Sequence, residues 1–271
     1  LEGSGFFVAL CTKPKTLPFA YLSAIFSYLA LLMRTTERFR LFLDYFTTNF
    51  PQPETELHYT NPYELIVAVV LSAQCTDKRV NQVMPALIEQ FPTPAHLAAA
   101  TAEDIFPFIR SISYPNNKAK YLAGLGRMLA EEFGGEVPSS IEELQRLPGV
   151  GRKTANVVVS VIYNQPAMAV DTHVFRVSHR LGMVPRTATT PLAVERALVK
   201  YIPEELIPKA HHWLILHGRY ICVARQPKCG ICPLATWCKY YAQYVTPAIK
   251  PPKITVILSD NEGNTPTSST T

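Results

Sequence analysis

Apolar residues recur along this chain at helical spacing, and no long run alternates apolar with polar residues as a half-buried strand requires. The stretch Tyr63 to Ser72 is apolar almost all round, which fits a helix at the centre of a core, with Asn61 placed to cap it and Pro62 to begin it. Val80, Val83, Met84, Leu87 and Ile88 then mark one face of an amphipathic helix. Helix starts with apolar spacing follow at Pro94 to Ala100, at Thr101 with its Thr-x-x-Asp cap, at Lys118 to Phe133 and at Pro191 to Tyr201. The pattern predicts an all-α chain with ample residues for a core.

The segment Leu147 to Arg176, LPGVGRKTANVVVSVIYNQPAMAVDTHVFR, carries the most chemistry. Ser139 or Ser140, each with a glutamate three residues on, gives a capping-box start for a short helix that must stop by Pro148. Gly149 and Gly151 permit backbone angles or close approach that a Cβ would forbid. From Arg152 a second helix is expected, with Ala155, Val158, Val159 and Ile162 on its buried face. The amides of Leu147, Pro148, Gly149, Val150, Gly151 and Arg152, proline excepted, thus gather at a helix start and suit a phosphate, blind to base sequence. Pro-Gly pairs between helices are also ordinary turns.

Lys153 is expected in the first turn of that helix, where the positive helix end and partial burial favour a free amine able to act as a nucleophile. Asp171 is expected to begin the next helix, which runs through Val174, Phe175 and Val177 to Leu181 and stops at Gly182. An aspartate there needs no chemistry to be an N-cap, and a lysine there is also an ordinary surface residue. Together beside a phosphate-binding turn they place a nucleophile and a carboxylate at one edge.

Cys222, Cys229, Cys232 and Cys238 follow the spacing C-x6-C-x2-C-x5-C, leaving Cys11 and Cys75 elsewhere. Four thiols so close together make a soft-metal site or two disulfides; spacing alone does not choose zinc over iron, although the unequal gaps are compatible with a four-iron cluster. His211, His212 and His217 do not share one helical face and read as packing or hydrogen-bonding residues.

LPGVGRKTANVVV followed by AVDTHVFRV resembles the endonuclease III family of helix-hairpin-helix DNA glycosylases and abasic-site lyases, and the cysteine ladder with its HHWLILHGRYIC lead-in resembles that family's cluster loop. The resemblance spans Arg34 to Lys239. It implies a two-lobed fold: a six-helix lobe over 57–165, and a lobe built from 34–56 plus 166–244 that carries a [4Fe–4S] cluster on the four cysteines. It implies Lys153 as Schiff-base nucleophile, Asp171 as its carboxylate and His173 lining the pocket between the lobes. The partner implied is double-stranded DNA containing damaged bases, chiefly oxidised pyrimidines, or abasic sites, handled by a monomer in a bacterial-type cytoplasm at the nucleoid. A non-catalytic hairpin protein has no use for Lys153 with Asp171, and an adenine-mismatch enzyme usually carries a further C-terminal domain.

Two loops bear on base extrusion. Leu71 to Asp77 resembles the family's LSAQxTD run, which makes Gln74 a candidate to fill the space left by a flipped base. Ser111 to Ala119 departs from the family: Ser113 stands where relatives carry glycine, and Tyr114 where they carry an apolar wedge. Tyrosine can still stack on a base at the opened step.

A net charge of +5 is weak evidence for nucleic acid by itself. Its clustering adds more, with Arg146, Arg152, Lys153, Arg176 and Arg180 near the motif and Arg219, Arg225, Lys228 and Lys239 around the cysteines. Residues 1–32 include the uncharged apolar run Leu17 to Met33. They are expected to be an over-extended reading frame ahead of Met33, with a targeting or anchoring peptide as the alternative, no other membrane association being expected. Residues 245–271, rich in Thr, Ser and Pro, read as a disordered tail.

Overall fold

The computed structural model describes residues 28–245, so residues 246–271 of the expected tail and residues 1–27 of the expected extension lie outside the described residues. Within that extension residues 28–32 are helical, and Ala30 is buried with its carbonyl accepting from Arg38. Among the described residues every regular element is helical. In chain order they are α1 (Thr35–Asn49), α2 (Pro62–Ser72), α3 (Asp77–Gln90), α4 (Pro94–Ala99), α5 (Ala102–Ile109), α6 (Pro115–Glu132), α7 (Ile141–Leu144), α8 (Arg152–Tyr163), α9 (Thr172–Leu181), α10 (Pro191–Val199) and α11 (Ile207–Tyr220). None of these is long and apolar enough to cross a membrane.

Two hydrophobic cores divide the chain into lobes. In the first, α2 is buried on nearly all sides from Leu65 to Leu71; α3, α6 and α8 pack against it, and α4 and α5 pack on α6. The local chemistry starts these helices where the residues allow: Asn61 caps α2 through Glu64 N–H, Thr76 caps α3, and Thr101 with Asp104 closes a full capping box at α5. The second core gathers Phe39, Phe42 and Phe46 of α1 with residues of α9, α10 and α11 around Trp213, whose indole N–H donates to Phe50 O at 2.8 Å. α9 and α11 cross so closely at Gly218 that a Cβ there would lie 2.8 Å from His173 Cβ.

The chain passes between lobes through 50–61 and again through 164–171. Two ion-paired contacts span the division. Arg152 at the start of α8 holds Glu195 of α10, at 2.5 and 3.1 Å. Arg219 of α11 holds Glu56 and, at 2.6 Å, Asp77 at the start of α3. The cleft lies alongside the second of these.

Candidate active site

The α7–α8 connection forms the expected hairpin in shortened form. Ser140 caps α7 through Glu143 N–H at 3.3 Å, but α7 is a single turn and ends at Leu144, three residues ahead of the proline-containing turn. Leu147 and Val150 bury their side chains in the first core, and Val150 N–H donates to Leu147 O at 3.0 Å. The outward face of this turn is therefore backbone and the half-buried Pro148. Gly149 has φ +80°, where a Cβ would also meet Tyr121 Cβ at 2.9 Å. Gly151 departs from the expectation: its φ of −89° is open to any residue, and a Cβ there would meet nothing within 4 Å. The open space is what a ligand approaching the backbone needs. Among the described residues the amides of Gly149, Gly151, Arg152 and Lys153 have no protein acceptor.

Asp171 caps α9, its Oδ1 accepting from His173 N–H and Val174 N–H, both at 2.8 Å. Its Oδ2 lies 3.1 Å from His173 Nδ1. Burial alone would raise the Asp171 pKa, but these hydrogen bonds and the nearby Lys153 charge outweigh it and hold the carboxyl well below the usual carboxylate range. The N-cap geometry and a site role thus coexist in one side chain.

A cavity of about 290 Å³ opens between the lobes. Lys153, Thr154 and Val157 of α8 line one side, Asp171 the floor between lobes, Gln74 and the end of α2 another, and His211, His212 and Arg219 of α11 the last. Lys153 is exposed at the cavity, so the partial burial expected for it is absent. His173 was expected in the lining; it lies instead behind Asp171, orienting the carboxylate. Tyr114 is outside the cavity and 61% exposed. Its loop is nonetheless tied to the cavity wall, since Ser113 Oγ donates to Gln74 O at 2.7 Å.

The basic side chains are more occupied than their sequence clustering implies. Arg152, expected to contact DNA, spends its guanidinium on Glu195, and Arg146 pairs with Glu132. Arg176 and Arg180 turn inward to the carbonyls of Gly218, Cys222, Val223 and Ala224, bracing the cysteine loop. Arg219 likewise lines the cavity through its two carboxylates instead of facing phosphates. Lys153 has no carboxylate within ion-pair reach among the described residues.

Cys222, Cys229, Cys232 and Cys238 line one recess with His217, Tyr240 and Tyr241, and none of them forms a disulfide. Burial pushes the Cys238 thiol up to about 11, and the Cys229 and Cys232 thiols upward as well, so only a bound cation makes the thiolates favourable there. Among the described residues no three candidate ligands converge on a point that one ion could occupy. Four thiols lining one recess are the donor set that a four-iron cluster requires, one thiolate for each iron. Arg180 approaches Cys222 Sγ at 3.4 Å, and His217 Nε2 lies 3.7 Å from Cys232 Sγ.

Sequence reasoning missed His211 and His212 as cavity residues, because their neighbouring positions on α11 look like packing until α11 is laid along the cleft. It also missed Lys118, which is 4% exposed and donates to Leu71 O at 2.8 Å and Ala73 O at 2.6 Å. An Asn-x-Lys-Ala helix start gives no sign that its lysine turns inward.

Such a two-lobed helical frame, with an amide-lined hairpin beside its cleft and a cysteine recess behind it, defines a helix-hairpin-helix DNA-repair protein carrying a metal centre. Residues 67–204 match the family model described as HhH-GPD superfamily base excision DNA repair protein, and residues 222–238 match the iron-sulfur binding domain of endonuclease III. Endonuclease III of Rickettsia prowazekii is 47% identical over 196 residues, 72% of this chain and 92% of that protein. The Bacillus subtilis endonuclease III is 49% identical over 197 residues, 73% and 90% of the two chains. A solved trapped endonuclease III–DNA covalent intermediate superposes with a TM-score of 0.73 at 48% identity, covering 77% of this chain and 98% of that one. The chain belongs to the endonuclease III family. It is a DNA glycosylase and abasic-site lyase of base excision repair, and its cofactor is a [4Fe–4S] cluster.

Proposed function

We propose that Lys153 is the nucleophile of this enzyme and Asp171 its fixed counter-charge, acting on oxidised or ring-fragmented pyrimidines in double-stranded DNA. The observation that carries this reading is the shared cavity: an exposed lysine and a half-buried, ionised carboxylate line one space between the lobes, together with Gln74. A trapped covalent intermediate with DNA in a relative 48% identical supports covalent chemistry for this enzyme.

The free amide groups of Gly149, Gly151, Arg152 and Lys153 hold a phosphate, and Gln74 and Tyr114 support the opened base step while the damaged base enters the cavity. Lys153 attacks C1′ as the free amine and the base departs. Asp171 stabilises the positive charge developing on the sugar; a carboxylate held so far toward ionisation is a poor general base and a good electrostatic partner. The resulting imine acidifies the C2′ proton, and β-elimination breaks the bond to the 3′ phosphate. His173 keeps Asp171 aimed. The four cysteines would each hold one iron of the cluster, which when bound pins the loop that Arg176 and Arg180 brace. The enzyme works as a monomer in the cytoplasm, at the nucleoid.

Borohydride trapping on duplex DNA containing an oxidised pyrimidine tests the assignment. A covalent adduct is expected with the wild type, lost in Lys153→Ala and retained in Gln74→Ala. No adduct on lesion-containing or abasic DNA would overturn it.

A further inference from the structure

His211 is 1% exposed, and neither ring nitrogen has a hydrogen-bond partner among the described residues. A neutral imidazole carries one donor and one acceptor, and leaving such groups buried and unpaired is costly unless something meets them in function. No comparable orphan occurs at His173 or His217, whose rings have partners. His211 lines the interlobe cavity together with Lys153 and Asp171. His212 packs beside it with ring centroids 5.0 Å apart, is only half-buried, and is shared between this cavity and the wider one behind it. His212, whose ring packs against that of His211, would have to move for an occupant of the cavity to reach His211.

We infer that His211 is a base-recognition residue, donating a hydrogen bond from its ring N–H to a carbonyl oxygen of the extruded pyrimidine and so favouring departure of the base. The inference rests on Lys153 as nucleophile. As the Lys153 Nζ–C1′ bond forms, the C1′–N1 bond breaks and its electron pair leaves on the base, spread onto the adjacent carbonyl oxygen. The ring N–H of His211 faces that charge without giving up its proton; the ammonium created at Nζ supplies the proton that neutralises the base. Burial, with His212 and Lys153 adding to it against the opposing pull of Asp171, pushes the imidazole down to about 3, so the ring arrives neutral. A neutral ring suits a donor whose task is to polarise and to recognise, as opposed to protonate.

The prediction separates base removal from strand cutting. In single-turnover assays, His211→Leu is expected to slow excision of an oxidised pyrimidine by about 10–100-fold. Strand cleavage and borohydride trapping on a preformed abasic site, where no base remains to be recognised, are expected to stay within about twofold of wild type. Because the substitution removes two unpaired polar atoms from a buried site, its thermal midpoint is expected to equal or exceed that of the wild type. His211→Gln, which restores a donor and an acceptor, is expected to recover part of the excision rate. Equal losses on both substrates, or no loss on either, would overturn the inference; a wild type that fails to trap abasic DNA would instead overturn the reading of Lys153.

Discussion

The hydroxyl of Ser113 donates to the backbone carbonyl of Gln74 over 2.7 Å, tying the loop that precedes α6 to the loop that follows α2. Both loops are strained where they meet DNA in the proposed scheme: Gln74 has φ +55° and Tyr114 φ +56°, left-handed values that cost a non-glycine residue about 1 kcal/mol or more. From beneath, Lys118 fixes Leu71 and Ala73. Ser113 thus does more than fill space; it joins into one unit the two loops whose residues are proposed to support the opened base step.

That coupling predicts a substrate-dependent defect in Ser113→Ala. Opening a paired lesion requires Gln74 and Tyr114 to act together, so excision opposite a matched purine is expected to slow several-fold. Opposite a mismatch, where less pairing is lost, the variant is expected to approach wild-type rates. Single-turnover excision on the two duplexes measures the difference; equal slowing on both would show that Ser113 serves only loop stability.

Asp171 is both cap and charge, and two substitutions separate those duties. Asn is nearly as good an N-cap as Asp, so Asp171→Asn is expected to keep its denaturation midpoint while losing most trapping activity; Asp171→Ala loses both, at a stability cost of about 1 kcal/mol. The pH profile follows from the hydrogen bonds. They favour the ionised carboxylate, so removing the ring in His173→Ala raises the Asp171 pKa. The Asp171 carboxyl is then expected to titrate at higher pH in the variant, read directly from its carboxyl NMR shift. An Asp171 titration that does not move would detach His173 from Asp171.

Much of this was legible beforehand because it is local. The caps at Asn61, Thr101 and Asp171, the stop at Gly182 and the cysteine spacing are all written within a few residues of where they act. What the chain does not display is partner choice across the cleft. Arg152 and Arg219 look like phosphate ligands until Glu195, Glu56 and Asp77, distant in sequence, arrive to pair with them. His211 and Lys118 are hidden for the same reason: whether a polar side chain faces a cavity or a carbonyl depends on how helices from separate lobes are laid side by side. Gly151 shows the converse, a glycine in the motif whose conformational freedom the backbone does not use.

The Arg152–Glu195 pair makes its own prediction. It is partly exposed, with side-chain exposures of 48% and 14%, and contributes at most about 1 kcal/mol to stability. Its larger effect is to occupy a guanidinium at the hairpin. Glu195→Gln is expected to leave the thermal midpoint nearly unchanged while tightening DNA binding. It should also steepen the slope of log K against log salt by about 0.9, the signature of one added phosphate contact. An unchanged slope would place Arg152 away from the phosphates in the complex.

Trp213 and Trp237 are the chain's two tryptophans, and both lie in the second core, Trp237 next to the ligand Cys238 and with its carbonyl accepting from Arg38 at 2.5 Å. Tryptophan emission therefore reports on the cluster lobe alone. Removing the cluster leaves four thiols in a recess that burial makes unfavourable for their charged forms and releases the loop on which Trp237 sits. On anaerobic chelation or in Cys238→Ser, a red shift of emission is expected together with loss of DNA binding, because α11 carries the cavity wall at one end and leads into the cluster loop at the other. Far-UV circular dichroism is expected to fall by much less, since the first core, built around α2, contains no cluster ligand. In urea the two probes should then give separate midpoints for the cluster-free protein, the emission change coming first. Coincident midpoints would mean that the ion pairs across the cleft make the two lobes unfold as one.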